Sequence, residues 1–534
     1  MHWVVRRIPR GISRSANHRG EFNVLFSKQR GTLGCSDPRT FVLDEKDTAR
    51  SSRNLVGQNA TRSFAFSRTF ARDFGTSARK EPPEPRGIPF FGTMLSLVMA
   101  GGAKKLHEYV DRRHRELGPV FREKIGPLWI VFVNSPDEFR RIFLRLEGPT
   151  PQNFVPEAWR LYNEMRAQRR GLLFMNGDEW LHFRRILNKM MLLPDSTKLM
   201  CAPCQEAAEN LARKWTDHSL AGSTVPNLES QLYRWSIETM LATLIGSRWR
   251  DCERQMRSEA EHLALMLHRI FEYSATLSMM PAKLAMRLRL PVWTKFVRTA
   301  DTILARLHSL VPEMIRLDSD GLLQMMMNNG IRDDDAVRIV VDFIIAASDT
   351  TAISMQWALL LLSGRPELQD QLFYDIKDLP PEEILQHPLL KGVWREALRL
   401  HPIAPFLSRY LLADATIGDY FVSKENLIVM SIYSSGRDGN DFPVPNEFQP
   451  ERWIRTKDGS YQGVKNSYAT LPFAMGVRSC IGRKLAETQM SLTLAQLIKN
   501  FKIECENRDS VKMILHLVSV PSKPIQLKLI GREV

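Results

Sequence analysis

The chain has 534 residues, 44% hydrophobic, 25% charged and 9% aromatic, a balance that builds a large globular protein. That balance excludes a collagen and a wholly disordered chain, and six scattered Cys are too few for a disulfide-stapled secreted scaffold. The net charge of +15 is unevenly placed: residues 1–80 hold 16 Lys and Arg against 6 Asp and Glu, which leaves only +5 for residues 81–534.

Residues 1–20 carry Arg6, Arg7, Arg10, Arg14 and Arg19 and no acidic residue. Ser and Arg recur as far as Ser77–Arg79, and no apolar stretch runs long. A basic, Ser-rich, acid-poor start is the composition of an organelle import segment, and the missing apolar run argues against a secretory signal. Residues 1–80 therefore read as a cleaved, disordered mitochondrial transit segment, with Arg68-Thr69-Phe70-Ala71 resembling a processing site. The alternative is a basic arm that binds nucleic acid. It requires the charge to persist in the mature chain, which is only weakly basic, so no nucleic-acid partner is expected. Pro82, Pro83, Pro85 and Pro89 make residues 81–90 a stiff extended linker, and residues 91–534 read as one folded domain.

Phe121–Ile125 and Trp129–Val133 read as two strands joined by a Gly126-Pro127 turn. Ser135-Pro136-Asp137-Glu138 has capping-box spacing with Pro at the first helical position. Apolar residues then recur at three-to-four spacing over 203–216, 230–246, 253–275, 293–317, 335–363 and 389–400, which predicts long helices. Strand-like pieces return at 418–432 and 511–531. The fold class is mainly α with small β-sheets, in a single large domain. Phe343–Ser363 carries one charge, Asp349, in 21 residues. An aspartate at mid-span is costly in lipid, so the run reads as a helix through the protein's centre and not as a membrane span.

Near the C-terminus stands Phe473-Ala474-Met475-Gly476-Val477-Arg478-Ser479-Cys480-Ile481-Gly482-Arg483-Lys484. Gly476 and Gly482 permit a tight loop whose amides face the Cys480 sulfur, and a helix starting after it adds a favourable dipole. The segment resembles the haem-binding loop of the cytochrome P-450 family, Phe-x-x-Gly-x-Arg-x-Cys-x-Gly. The resemblance covers roughly residues 85–534 and implies about a dozen helices with small sheets around one haem b. It makes Cys480 the thiolate ligand of the iron and Phe473, Arg478 and Gly482 part of the haem loop. Trp180-x-x-x-Arg184 and Arg409 resemble the family's propionate-pairing positions.

Glu396-Ala397-Leu398-Arg399 is a Glu-x-x-Arg pair that alone would mean only a solvated ion pair. With Pro450-Glu451-Arg452-Trp453 downstream, it resembles the family's buried network, so Glu396, Arg399 and Arg452 are expected to be structural. Ala346-Ala347-Ser348-Asp349-Thr350-Thr351 resembles the family's oxygen-activation segment. Protons must reach dioxygen in a dry site, and Asp349 and Thr350 are the catalytic acid and alcohol the resemblance implies. Ala347 departs from the usual Gly there.

Lys391 and Arg395 share one helix face at (i, i+4) and resemble the pair by which mitochondrial members dock a small acidic 2Fe-2S ferredoxin. Read alone, they are two solvated charges. Arg483-Lys484 is also similar to the mitochondrial pattern. Leu277–Trp293, apolar with interspersed Lys and Arg, falls where the family's substrate-access loop is expected and suits peripheral membrane contact. The resemblance implies a monomer on the matrix side of the inner mitochondrial membrane. Ile403, Ala404, Phe406 and Leu407, together with the Thr150–Leu173 region, suggest an apolar pocket for a lipophilic substrate. The run from Asp349 to Ala358 resembles the arthropod ecdysteroid hydroxylases, most of all the 2-hydroxylase. Other readings are another ecdysteroid hydroxylase, a mitochondrial detoxifying monooxygenase, and a haem-thiolate isomerase that needs no electron donor. Cys201-x-x-Cys204 has no second pair at zinc-finger spacing and reads as coincidence.

Overall fold

The computed structural model describes residues 80–87, 93–125, 128–152, 154–278 and 280–532. Apart from Lys80, the transit segment and its processing-site match lie outside the described residues. The longer elements run in the order α1 (Leu106–Leu117), β1 (Val120–Ile125), β2 (Leu128–Val133), α2 (Glu157–Arg166), α3 (Gly177–Met191), α4 (Ser196–Leu220) and α5 (Leu228–Ile245). There follow α6 (Trp249–Ser278), α7 (Pro291–Ile315), α8 (Asp333–Leu362), α9 (Pro366–Ile376) and α10 (Pro388–Leu400). Short strands β3 (Phe406–Arg409), β4 (Ala415–Ile417), β5 (Tyr420–Val422) and β6 (Leu427–Ser431) come next. Helix α11 (Arg483–Asn500) precedes β7 (Phe501–Cys505), β8 (Met513–His516), β9 (Val518–Pro521) and β10 (Leu527–Gly531).

Each stretch with three-to-four apolar spacing lies on a helix. Ser135 Oγ accepts the Glu138 N–H at 3.4 Å, the bond the capping box predicts. Helix α8 is the axis of the helical body, packed by α5, α7 and α10. Asp333, Asp334 and Asp335 sit in its first turn, where the helix dipole favours negative charge. Its middle is buried on nearly every side, so the sequence shows an almost uncharged run instead of one apolar stripe.

The main sheet has the order β1-β2-β6-β3. Strands β1 and β2 form a hairpin, whereas β2 pairs with β6 in parallel, with Ile130 opposite Leu427. A parallel pair needs a crossover, and here the crossover is the whole helical body. Residues 80–87 of the proline-rich segment form no helix or strand, yet they are no free spacer. Phe421 N–H donates to Lys80 O at 2.8 Å and Arg122 N–H to Pro83 O at 3.0 Å. The Arg122 guanidinium pairs with Glu81 and Glu84, so residues 80–87 pack against the sheet.

Beneath the site, the Glu-x-x-Arg pair forms a dry network. Arg399 donates to both Glu396 oxygens, at 2.7 and 2.9 Å, and Arg452 Nε to Glu396 Oε1 at 2.8 Å. Arg399 also caps the carbonyls of Gly436, Pro445 and Glu447. The indole of Trp453, which stands where the family has Phe, adds a donor to Glu396 Oε2 at 2.9 Å. Gly392 lets α10 approach this turn, since a Cβ there would overlap Pro450 O. Glu396→Ala would strand two buried guanidinium groups, at a cost of about 3–5 kcal/mol for breaking such a pair. The expected outcome is little or no soluble haem protein, checked by expression yield and thermal melting.

His107 and His114 of α1 are both buried. His114 bonds Gly118 O at 3.0 Å and Ser431 Oγ at 2.8 Å. Burial lowers both rings to about 4, against a weaker upward pull from Glu108 on His107 and from the Gly118 carbonyl on His114. Their ordinary value is about 6.5, so between about pH 6.5 and 4 the unfolded chain holds protons the native state lacks. Stability is therefore lost as pH falls through that window, on the order of 3 kcal/mol per ring. Urea midpoints measured from neutral pH to about pH 4 should drop accordingly. A drop equally steep in the His107→Gln, His114→Asn double variant would remove these rings as the cause.

Candidate active site

The loop before α11 is folded back on itself. Ala474 and Gly476 take positive φ, 54° and 76°. Cys480 N–H donates to Phe473 O at 2.8 Å and Ser479 N–H to Gly476 O at 3.1 Å. Gly476 has two reasons to be glycine: its φ, and the fact that a Cβ would overlap Glu147 Oε1 and lie 2.9 Å from Phe143 O. Gly482 has an ordinary φ of −81°. What it supplies is its backbone hydrogen bond to Cys480, beside the N-terminus of α11. Burial pushes the Cys480 thiol up, while that bond, Arg184 and Arg483 pull it down. The residue nonetheless keeps exposed surface. A group crowded by protein yet open to contact borders space enclosed within the fold. Phe473 flanks the loop, its ring edge-on to Trp394 at 6.2 Å.

Three arginines converge near the loop. Arg184 is buried, donates to Ser479 O and leaves its Nε without a partner. Arg478 bonds Pro151 O at 2.7 Å, Met175 O at 2.7 Å and Asn176 Oδ1 at 2.8 Å, and lies 4.0 Å above the Trp180 ring. Burial brings both guanidinium groups down to about 10; Cys480 opposes this for Arg184, while Arg409 and Arg184 push Arg478 further down. Among the described residues neither forms an ion pair. Arg409 Nε donates to the buried Glu147 carboxylate at 2.7 Å, a partner the sequence did not show. Sequence reasoning missed Glu147, an isolated acid outside every motif.

Asp349 and Thr350 lie on α8, but neighbouring helical residues point about 100° apart. Asp349 is 2% exposed and accepts a hydrogen bond from Tyr233 on α5, with its Oδ2 unpartnered. Burial, with a weaker push from Glu229, holds its carboxyl well above the usual range. Thr350 is exposed in the middle of an otherwise buried helix, so it too borders enclosed space, and its Oγ1 donates to Ala346 O at 2.9 Å. Helix α8 stays regular through Ala347, whose carbonyl accepts the Ser236 hydroxyl at 3.0 Å. Tyr233 and Ser236 carry no motif and were not foreseen.

Lys391 and Arg395 are partly exposed on α10. Lys391 Nζ donates to Gln386 Oε1 at 3.0 Å, and Arg395 stacks on Trp394 at 5.3 Å and donates to Tyr461 OH at 3.3 Å. Burial, Arg395 and Lys484 all lower the Lys391 ammonium, which places these three cations in one neighbourhood. Arg483 instead pairs with Glu487 at 2.9 Å.

A haem b fits this residue set. Arg184 with its free Nε and Arg478 with no carboxylate suit two propionates, and Cys480 suits the iron. When bound, a thiolate-ligated haem supplies the chemistry that cleaves dioxygen, its sulfur pushing electron density to the metal.

Residues 82–529 match the family described as "Cytochrome P450", and the chain belongs to it. It is a haem-thiolate monooxygenase with the mainly α fold that the motifs imply. "Cytochrome P450 315a1, mitochondrial" of Drosophila melanogaster is 37% identical, over 85% of this chain and 89% of that one. The mitochondrial cholesterol side-chain cleavage enzyme of Oncorhynchus mykiss is 27% identical, over 82% and 87%. The mitochondrial 1,25-dihydroxyvitamin D(3) 24-hydroxylase of Rattus norvegicus is 27% identical, over 83% and 88%. The chain is thus a monooxygenase of the mitochondrial type, related to steroid hydroxylases.

Proposed function

We propose that this protein hydroxylates an ecdysteroid at carbon 2, inside the mitochondrion, with electrons from a 2Fe-2S ferredoxin. The observation that carries the reading is the 37% identity to an insect mitochondrial member across 89% of its length. The likeness of the Asp349–Ala358 run to the ecdysteroid 2-hydroxylase points the same way. Ile403, buried, and Phe406, half-buried, supply apolar wall for a steroid. Cys480 holds the haem iron with Phe473 and Gly482 beneath it, and Trp180, Arg184, Arg409 and Arg478 serve the propionates. Thr350 orients dioxygen's proton source, and Asp349, whose carboxyl burial pushes up, donates through it.

Residues 1–80 act as the import segment and are removed. The mature protein works as a monomer on the matrix side of the inner membrane. Among the described residues no helix is long and apolar enough to cross a membrane. Within Leu277–Trp293 the two end residues pack inward, while Leu284 and Leu288 are 51% and 60% exposed. Lys283, Arg287 and Arg289 stand among them, the mix of a segment that rests in the headgroup layer.

The test offers 2-deoxyecdysone to the protein with ferredoxin, its reductase and NADPH, and identifies the product by mass spectrometry and NMR. A ferredoxin-dependent 2-hydroxylated product supports the reading. Turnover of unrelated lipophilic compounds with none of the steroid would favour a detoxifying enzyme, and turnover without ferredoxin an isomerase. Lys391, Arg395 and Lys484 crowd like charge that an acidic donor relieves. Lys391→Glu with Arg395→Glu should raise the KM for ferredoxin by about tenfold or more and flatten its salt dependence. An unchanged KM and salt slope would move the docking face elsewhere.

A further inference from the structure

We propose that Glu147 is a positioning residue for the haem thiolate: it clamps the Gly476–Val477 turn and supplies the one carboxylate within a cradle of three arginines. The inference rests on Cys480 and the arginines holding haem as described above.

The geometry is specific. Glu147 is 1% exposed. Its Oε2 accepts Arg409 Nε at 2.7 Å, and its Oε1 accepts the Val477 N–H at 3.1 Å. One carboxylate thus ties together three stretches distant in sequence: its own turn after β2, the end of β3, and the loop three residues before Cys480. Phe143, one helical turn earlier, braces both partners. Its ring lies 4.9 Å beneath the Arg409 guanidinium, and its carbonyl closes on Gly476. The Val477 N–H has no strand or helix to use it, and the Glu147 carboxylate is the acceptor it finds.

The charges make the second half of the case. Arg184, Arg409 and Arg478 bring three positive charges to one neighbourhood, and Arg409 and Arg184 each repel Arg478. Glu147 is the only carboxylate that any of the three contacts among the described residues. Burial pushes the Glu147 carboxyl up, while Arg409, the Val477 N–H and Arg478 pull it down; as the anion it leaves the cradle two net positive charges, the number two propionates neutralise. Without it Arg409 is released and the haem sits in a more positive field, which favours the reduced, more negative state of the iron.

Two substitutions separate the clamp from the charge, both made in the full-length haem-loaded protein. Glu147→Gln keeps the length and a carbonyl acceptor but removes the charge. It should retain haem and the thiolate-type Soret band of the reduced carbon-monoxide complex, while its reduction potential becomes more positive. Glu147→Asp keeps the charge but is one methylene too short to reach both Arg409 and Val477. Its potential should stay near that of the unsubstituted protein, while haem loss to apomyoglobin becomes about tenfold faster, as expected for one lost charged hydrogen bond. Part of its Soret band should also move to the thiol-ligated position. An unmoved potential in Glu147→Gln overturns the charge role. Unmoved haem loss and Soret band in Glu147→Asp overturn the clamp. If the unsubstituted protein lacked the thiolate band, the haem reading itself would be at fault, a result distinct from either.

Discussion

Two guanidinium groups share one carboxylate out of reach of water, and the fold beneath the site hangs on that sharing. Glu396 receives Arg399, Arg452, the Trp453 indole and the Gln449 amide. Charges this deep are tolerated only when every donor and acceptor is used. Arg399 meets that condition by capping three carbonyls of the irregular segment 436–447. A long stretch with little regular structure of its own is thereby held against α10.

A second centre of charge stands at the loop and follows a different rule. Below, two guanidinium groups share one carboxylate, and backbone carbonyls accept their remaining N–H groups. Around Cys480, buried Arg184 and half-buried Arg478 form no ion pair among the described residues; burial lowers both, and Arg409 and Arg184 lower Arg478 further against a pull from Glu147. Such a surplus destabilises the protein alone and favours an anionic ligand. The lower network thus suits a structural role, while the upper cluster suits an anionic group that would complete it. Asp349 shows the same logic in reverse: burial and Glu229 push its carboxyl up, and no cation opposes them among the described residues.

Much of this was legible in the sequence, for identifiable reasons. The haem loop could be read because tight turns and metal ligation restrict residue type at fixed spacings. The long helices could be read because one face of most of them is apolar. Helix α11 was expected only from its place after Cys480, because Thr488, Gln489, Ser491 and Thr493 are buried within it and erase the stripe. Strand β3 was too short for alternation to register. Glu147, Tyr233 and Ser236 were invisible because each acts on a residue more than a hundred positions away, and no local pattern marks such a partner. Arg409 was found, but its bond to Glu147 was not, and that bond changes what Arg409 has left to offer.

The parallel seam between β2 and β6 has a consequence in time. Chain growth delivers the β1–β2 hairpin early, with Val131 and Val133 apolar and one edge unpaired. The strand that closes that edge ends at Ser431, so nearly three hundred residues must appear before it can dock. Until then an apolar edge waits beside a growing helical body, the condition under which chains pair with the wrong neighbour. Such a chain would lean on a chaperone that shields the hairpin, and its aggregation during synthesis would be governed by the first sixty described residues more than by the helices that make up most of its mass.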